Sequence, residues 1–157
     1  MRKEKQKITD NKIINEILTK SEICRIAMLD NDTPYLLPFN YGYQDNCIYI
    51  HSAPEGKKIE LLRKNNKVCF EIEQIAEIVK HDKPCKWATK YRSIIGYGEV
   101  EIITDYKQKK KGLDIIMSQY GENSNLEYAD KQVDNIVILK LRITKLTGKQ
   151  SSNWNDN

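Results

Sequence analysis

Short apolar runs separated by polar, turn-forming breaks make up most of this chain. Runs rich in β-branched and aromatic side chains predict strands at 23–29, 35–43, 47–52, 67–73, 91–104 and 136–146. Asp, Asn and Pro residues at 30–34 and 44–46 are typical of the turns between such strands. For 74–89 the weaker pattern indicates a strand followed by a loop. Within the long strand, Gly96 and Gly98 predict a bulge or a close approach of backbones.

Helical spacing of apolar residues occurs in three places. The helices are predicted after the capping residue Asp10, over 55–64, and around 113–120, the last followed by a polar loop over 121–135. About six strands with few helices between them argue against a doubly wound parallel sheet. We therefore expect a mainly β fold, an antiparallel β-barrel of about six or more strands with flanking helices.

Length and composition fit a soluble protein with a single domain over residues 1–157. The net charge of +4 is too balanced to imply nucleic-acid binding. Basic residues concentrate at 2–7 and 107–111, which are expected to be solvated faces. Because the chain begins with a charged run and has no apolar stretch of membrane-spanning length, we expect a cytoplasmic protein with no membrane or nucleic-acid partner.

The cysteines at 24, 47, 69 and 85 are spaced too widely for the paired ligands of structural zinc. Three of them lie in strand-like runs, which predicts buried thiols rather than disulfides. His81 and Cys85 have the spacing of half a metal site, but no second pair completes it. No metal is therefore expected.

A proline in mid-strand is the first candidate functional feature. Pro38 lacks the N–H that a central strand would use, so the segment 38–42 is either an ordinary edge strand or a place where a planar ligand lies alongside. The residues alone leave both interpretations open.

The second feature is a strand end followed by a helix that begins with two lysines. Ser52, Gly56, Lys57 and Lys58 combine a hydroxyl, free helix N–H groups and ammonium groups, a set typical of a phosphate site. Lysines at a helix start are unfavourable for the helix dipole unless an anion is nearby. His51 is either part of this site or a structural histidine.

Two weaker features lie nearer the C-terminus. Arg92 and Ser93 supply a guanidinium and a hydroxyl suited to a phosphate or a flavin edge. Trp154 lies in a polar tail, where it stacks on a flavin, closes the pocket of a partner subunit or belongs to a frayed end.

Four segments in this order resemble the nitroimidazole-resistance (Nim-type) branch of the pyridoxamine-5′-phosphate-oxidase-like flavoproteins, namely PYLLPFNYGY, IYIHSAPEGKKIELLRKN, VCFEIE and PCKWATKYRSIIGYGEVEII. The resemblance covers roughly residues 8–149. It implies an FMN-binding split β-barrel and a homodimer with FMN in the cleft between subunits.

The resemblance also implies roles for individual residues. Pro38, Phe39, Asn40 and Tyr41 would line the isoalloxazine, largely through main chain. His51 and Ser52 would reach the ring and ribityl region, and Lys57 and Lys58 would hold the phosphate. Arg92 and Ser93 would contribute from the neighbouring strand. His51 is the catalytic candidate, because the matching histidine of the family lies on the substrate side.

These expectations lead to an FMN-dependent oxidoreductase that passes electrons from a nicotinamide donor to a small acceptor, such as a nitroaromatic compound. The chain ends in LTGKQSSNWNDN rather than in the arginine-rich segment of the vitamin B6 oxidases, which argues against that substrate. The alternative is a flavin- or haem-binding carrier or sensor of the same fold without turnover. His51 and His81 are its candidate haem ligands.

Overall fold

A computed structural model of the protein describes residues 4–122, 126–152 and 154, and its elements form one curled antiparallel sheet with helices around it. The strands are β1 Lys7–Ile8, β2 Ile23–Asp30, β3 Thr33–Asn40, β4 Gly42–Gln44, β5 Cys47–Ser52, β6 Lys67–Val79, β7 Ala88–Ile103 and β8 Val137–Gln150. The helices are α1 Asn11–Lys20, α2 Lys57–Lys64, α3 Tyr106–Gln119 and α4 Asp130–Asp134. No helix within the described ranges is long and apolar enough to cross a membrane.

The sheet closes on itself only partly. Its strand order is β3-β2-β6-β7-β8-β5-β4, and β1 adds to β8. The predicted strand 35–43 is in fact two strands interrupted at Tyr41, because β3 pairs with β2 whereas β4 pairs with β5 on the far side of the sheet. In the described part, no strand lies against the outer edge of β3 or against the edge of residues 50–52 of β5 that faces away from β8. The predicted antiparallel split barrel with flanking helices is confirmed.

Two apolar clusters stabilise the barrel. The larger one fills its interior and receives Ile14, Ile17 and Leu18 from α1, whose predicted cap is confirmed by the Asp10 side chain accepting from the Lys12 N–H. The smaller cluster lies between α3 and the outside of β5 and β8. Burial of these side chains is the main favourable term in folding.

The opposite, outer face of the sheet carries several exposed apolar side chains. Cross-strand pairing places Pro38, Arg25, Glu71, Ile95 and Thr147 in one row across β3, β2, β6, β7 and β8. Neighbouring residues on the two rungs beside this row, such as Cys24 and Ile72, point into the barrel instead. Side chains on this outer face are about half exposed, including Leu36 at 57%, Ile95 at 48% and Tyr97 at 53%.

The prediction of a strand followed by a loop over 74–89 is confirmed, because β6 continues to Val79 and a loop with a short 3-10 turn at Pro84–Lys86 follows before β7. Other sequence expectations need correction. The predicted loop 121–135 contains α4. The thiol prediction is confirmed, since all four cysteines are free, but Cys69 is only half-buried and Cys85 is exposed.

The basic cluster at 107–111 is not wholly solvated. Lys109 is 5% exposed, and its Nζ donates to the carbonyl oxygens of Asp134 and Ile136 at 3.4 and 3.1 Å. The ammonium of this α3 residue lies at the C-terminal end of α4, where it satisfies carbonyl groups that α4 leaves unpaired. These bonds explain why Lys109 is buried. Arg2 and Lys3 of the other basic cluster lie outside the described residues.

Candidate functional site

The start of α2 lacks a side-chain cap. Gly56 precedes it with a φ of 103°, and no side chain accepts a hydrogen bond from its first N–H groups. Asp10 and Asp105 cap α1 and α3 in the ordinary way. The free N–H groups, the helix dipole and the two lysines together make the start of α2 suited to an anion.

Lys57 fastens this helix start to the β2–β3 hairpin. Its Nζ lies 2.7 Å from Asp30 Oδ2 and 4.7 Å from the centroid of the Tyr35 ring. The hydrogen bond and charge of Asp30 raise the pKa of Lys57 and keep the ammonium charged. Among the described residues no acidic side chain pairs with Lys58, which is half-buried. The charge available to a ligand is therefore mainly that of Lys58.

The predicted edge position of Pro38 is confirmed. β3 pairs only with β2, so its other edge presents backbone groups without a strand partner in the described residues. Pro38 and Asn40 point to the outer face and are exposed, whereas Phe39 points inward and is half-buried. The side chains of 38–41 therefore do not share a face, and a ligand along this edge would meet mostly main chain.

Tyr120 fixes the point where β3 ends. Its hydroxyl donates to the carbonyl oxygen of Glu22 at 2.6 Å and accepts from the Tyr41 N–H at 3.1 Å and from Asn40 Nδ2 at 3.2 Å. The fully buried Tyr41 donates its own hydroxyl to the Leu18 carbonyl at 2.8 Å. These bonds hold the interruption between β3 and β4 in one position.

The side chains of the adjacent residues His51 and Ser52 have different surroundings. His51 is exposed at the end of β5, opposite Ile138 of β8. Ser52 is 5% exposed, and its hydroxyl donates to the carbonyl oxygen of Ala53 at 2.9 Å. Of the two side chains, only the imidazole is accessible to a ligand.

Arg92 and Ser93 also point in opposite directions. Arg92 is 8% exposed on the inner side, where Nη1 lies 3.3 Å from Glu16 Oε2 and Nε donates to Gln150 Oε1 at 3.3 Å. Ser93 is on the outer face with Ile95, in a cavity of about 330 Å³ that Thr147 also lines. The Arg92 guanidinium is thus occupied within the chain, and the Ser93 hydroxyl faces outward.

Arg92 and Ser93 were expected on a strand next to the other candidate residues, which lie on β3 and β5. Within one chain that expectation is wrong. Two strands, β2 and β6, lie between β3 and β7, and β8 lies between β7 and β5. Three strand spacings separate Pro38 from Ile95 in their common row, which is about 14 Å. Within one chain, the β3 edge and the start of α2 therefore lie together, whereas Ser93 lies on a distant strand.

Sequence reasoning missed three residues that shape this site. Asp30 and Tyr35 were assigned to a turn and an ordinary strand, yet both hold Lys57. Tyr120 was assigned to the apolar stripe of a helix, although it is 39% exposed and its hydroxyl links three segments. Only tertiary contacts distinguish these roles from the simpler ones.

The described residues contain no group of three or more His, Cys, Asp or Glu side chains able to hold a metal. In the His81–Cys85 half-site, His81 Nδ1 accepts from the Lys83 N–H at 3.1 Å, and Cys85 is exposed. That histidine organises the turn at the tip of the β6–β7 hairpin.

Comparison with known proteins gives a consistent result. The sequence profile of the family described as pyridoxamine 5′-phosphate oxidase matches residues 10–150. An uncharacterized protein of Rhizobium meliloti is 33% identical over 60 residues, which are 38% of this chain and 39% of that protein. The chain thus spans well under half of that curated relative.

Solved structures extend the match over nearly the whole chain. A Bacteroides thetaiotaomicron protein, provisionally described as a 5-nitroimidazole antibiotic resistance protein, is 34% identical with a TM-score of 0.81, covering 92% of this chain and 86% of its own. An FAD and heme binding protein of Mycobacterium smegmatis has a TM-score of 0.83 at 18% identity and covers 97% and 76%. The flavocytochrome Anf3 of Azotobacter vinelandii has a TM-score of 0.77 at 17% identity and covers 94% and 70%.

The last two structures share the fold of this chain. The Bacteroides protein and the family profile go further, and they confirm the resemblance to the nitroimidazole-resistance branch. Because the profile covers all but the two ends of the chain, this protein belongs to the pyridoxamine 5′-phosphate oxidase family.

Proposed function

We propose that the protein binds FMN with the phosphate at the start of α2, and that it passes electrons from a nicotinamide donor to a small oxidant such as a nitroaromatic compound. The observation that carries the proposal is the uncapped start of α2, with Lys57 and Lys58, held against the edge strand β3. Family membership and flavin-binding relatives of the same fold support it.

The residues present fit a flavin phosphate. A Cβ added at Gly56 would meet nothing within 4 Å, so the space in front of the helix is open. Backbone N–H groups of α2 and the Lys58 ammonium would bind the phosphate oxygens, while Lys57 keeps the helix start in place.

The edge of β3 fits a planar ring. Its unpaired backbone groups can hydrogen-bond the polar rim of a ring, and Pro38 removes one N–H that would otherwise remain unsatisfied there. When bound, FMN supplies the two-electron chemistry that accepts hydride from the donor and returns it to the oxidant. The chain supplies orientation through β3 and the Tyr120 hydrogen bonds.

His51 is proposed as the proton donor or orienting group for the acceptor. Its imidazole is exposed at the end of β5, one short turn before α2 in the chain. An exposed imidazole can serve as a proton donor, and the reduction of a nitro group requires one.

The working unit is proposed to be a homodimer formed through the outer face of the sheet. That face carries the half-exposed side chains of Leu36, Ile95 and Tyr97, which a second copy would bury. Ser93 is proposed to contribute to the site of the second copy, because two strands separate β7 from β3 within one chain. The free thiols support a cytoplasmic location.

The second candidate function is a flavin or haem carrier without turnover. Anaerobic mixing of the FMN-loaded protein with NADH or NADPH distinguishes this carrier from the oxidoreductase. We expect the donor to bleach the flavin absorbance and a nitroimidazole to restore it. His51→Gln should slow the restoring step about 100-fold, whereas His81→Gln, at the hairpin tip, should not. A flavin that no nicotinamide donor reduces would instead establish the carrier.

A further inference from the structure

A cavity of about 330 Å³ opens on the outer face of the sheet, where β7 and β8 lie side by side. Its lining residues are Ser93, Ile95, Thr147 and Lys149. These residues form two cross-strand pairs on alternate rungs, so their side chains leave the sheet on the same face. The volume lies within the range of small-molecule sites, and the wall combines an apolar side chain with hydroxyl groups and an ammonium group.

The ammonium group of this cavity has a second lysine as its neighbour. Lys149 of β8 pairs with Lys7 of β1, so two like charges stand directly opposite each other, an arrangement that destabilises a sheet. Lys149 is half-buried, and its Nζ lies 5.6 Å from the centroid of the Tyr91 ring. Within the described ranges no acidic side chain forms an ion pair with either lysine. A bound anion would offset the repulsion between them.

Two other basic residues of β8 face a carboxylate of β7. Lys140 Nζ lies 3.9 Å from Glu101 Oε2, and Arg142 Nη2 lies 2.6 Å from Glu99 Oε2. On the rung of Lys149 the residue of β7 is instead a serine. The strand pairing that neutralises the other two cations therefore leaves the charge of Lys149 to a group from outside the sheet.

The carboxylates nearest in the same rows of the sheet are bonded elsewhere. The two rows that contain the cavity continue to Glu71 and Glu73 of β6. Arg25 Nη1 lies 3.1 Å from Glu71 Oε2 and 3.0 Å from Glu73 Oε1. Because Arg25 holds both carboxylates, neither is available to the lysine pair.

We propose that this cavity binds the oxidant, and that the oxidant is a planar aromatic acid with its anionic group at Lys149 and its ring on Ile95. The charge would pair with the ammonium, the ring would bury apolar surface, and the Ser93 hydroxyl can donate to the carboxylate. Binding of the acid does not depend on the flavin. Its role as oxidant rests on the proposed function, in which Ser93 contributes to the flavin site of the second copy and a ligand in the cavity would lie beside that flavin.

The probe is 4-nitrobenzoate, and calorimetry measures its binding to the full-length protein without flavin. We expect it to bind about ten-fold more tightly than 4-nitrobenzamide, which has a similar shape and no charge. Acetate, which has the charge and no ring, should also bind about ten-fold more weakly than 4-nitrobenzoate. These two comparisons test the charge and the ring separately.

Variants of three lysines test the position of the anionic group. Lys149→Gln should weaken 4-nitrobenzoate about ten-fold and leave 4-nitrobenzamide unchanged, and Lys7→Gln should have a smaller effect in the same direction. Lys145→Gln is the matched control, because Lys145 is on the same strand and face but does not line the cavity. Bound 4-nitrobenzoate should raise the Tm of the wild-type protein and of Lys145→Gln more than that of Lys149→Gln.

Turnover distinguishes this site from the proposed function. In the FMN-loaded protein, 4-nitrobenzoate should reoxidise the reduced flavin with a lower KM than 4-nitrobenzamide, and Lys149→Gln should raise KM for the acid with kcat unchanged. Equal affinity for acid and amide, or wild-type affinity in Lys149→Gln, would overturn the site, and equal KM values would overturn the acid as oxidant. A protein that binds the acid as expected but takes up no FMN would contradict the proposed function and leave the acid site standing.

Discussion

The guanidinium carbon of Arg92 lies 4.3 Å from the centroid of the Trp154 ring. Trp154, the tryptophan of the C-terminal tail, therefore packs on the inner side of the sheet rather than on the outer face. The other contacts of the Arg92 guanidinium are Glu16 and Gln150. Arg92 thus joins α1, β7, β8 and the tail.

The first prediction concerns this junction. Arg92→Met should lower the free energy of unfolding by about 2 kcal/mol, because Glu16 and Gln150 lose a charged hydrogen-bond partner. Trp154→Ala should cost about 1 kcal/mol. Urea unfolding measures both changes. A folded Arg92→Met variant that no longer binds FMN would instead make Arg92 a cofactor ligand.

The second prediction concerns the hydroxyl of Tyr120. Tyr120→Phe should lower the free energy of unfolding by about 1–3 kcal/mol, because the Tyr41 N–H and the Glu22 carbonyl lose their partner. FMN affinity should fall as well, since the end of β3 is no longer fixed. Tyr128→Phe, whose hydroxyl bonds Asp114 away from β3, is the control and should retain wild-type affinity. Equal affinities for the two variants would contradict the role given to Tyr120.

The third prediction concerns the close approach of β7 and β8 at Gly98. The ladder between β7 and β8 shifts register between Tyr97 and Gly98, and a Cβ at Gly98 would lie 2.4 Å from the backbone oxygen of Arg142. Gly98→Ala should therefore destabilise the protein by about 1–3 kcal/mol. Gly121→Ala, which meets no atom within 4 Å but has a φ of 95°, should cost only about 1 kcal/mol. Thermal unfolding of both variants checks the order.

How much of this could be predicted from the sequence depends on the range of the contacts involved. Local chemistry predicted the Asp10 cap, the close backbone approach at Gly98 and the edge position of Pro38. The predicted strand 91–104 also implies, by alternation, that Arg92 and Ser93 face opposite sides, but it does not tell which of the two faces inward. The partners of Lys57 and Tyr120 come from distant segments, so no local pattern contains them.

The fourth prediction concerns pH. Burial raises the pKa of Glu71 above its ordinary value of 4.5, the charge of Glu73 adds to this, and Arg25 opposes both. At a pH between 4.5 and the raised pKa, Glu71 is therefore protonated in the folded state and ionised in the unfolded state. The free energy of unfolding consequently falls as pH rises from 4.5 through the folded pKa. Glu71→Gln should remove this fall from the pH profile of the unfolding free energy. An unchanged profile would show that Glu71 titrates normally.

The fifth prediction tests the central claim, that the start of α2 binds the phosphate of FMN. The measurement is the affinity of the purified protein for FMN and for riboflavin, which lacks the phosphate, by quenching of flavin fluorescence. We predict that FMN binds much more tightly than riboflavin. Lys58→Ala should reduce this preference at least ten-fold, whereas Lys64→Ala, at the other end of the helix, should leave the preference intact. A protein that stays colourless when FMN is added, or that binds riboflavin equally well, would contradict the account.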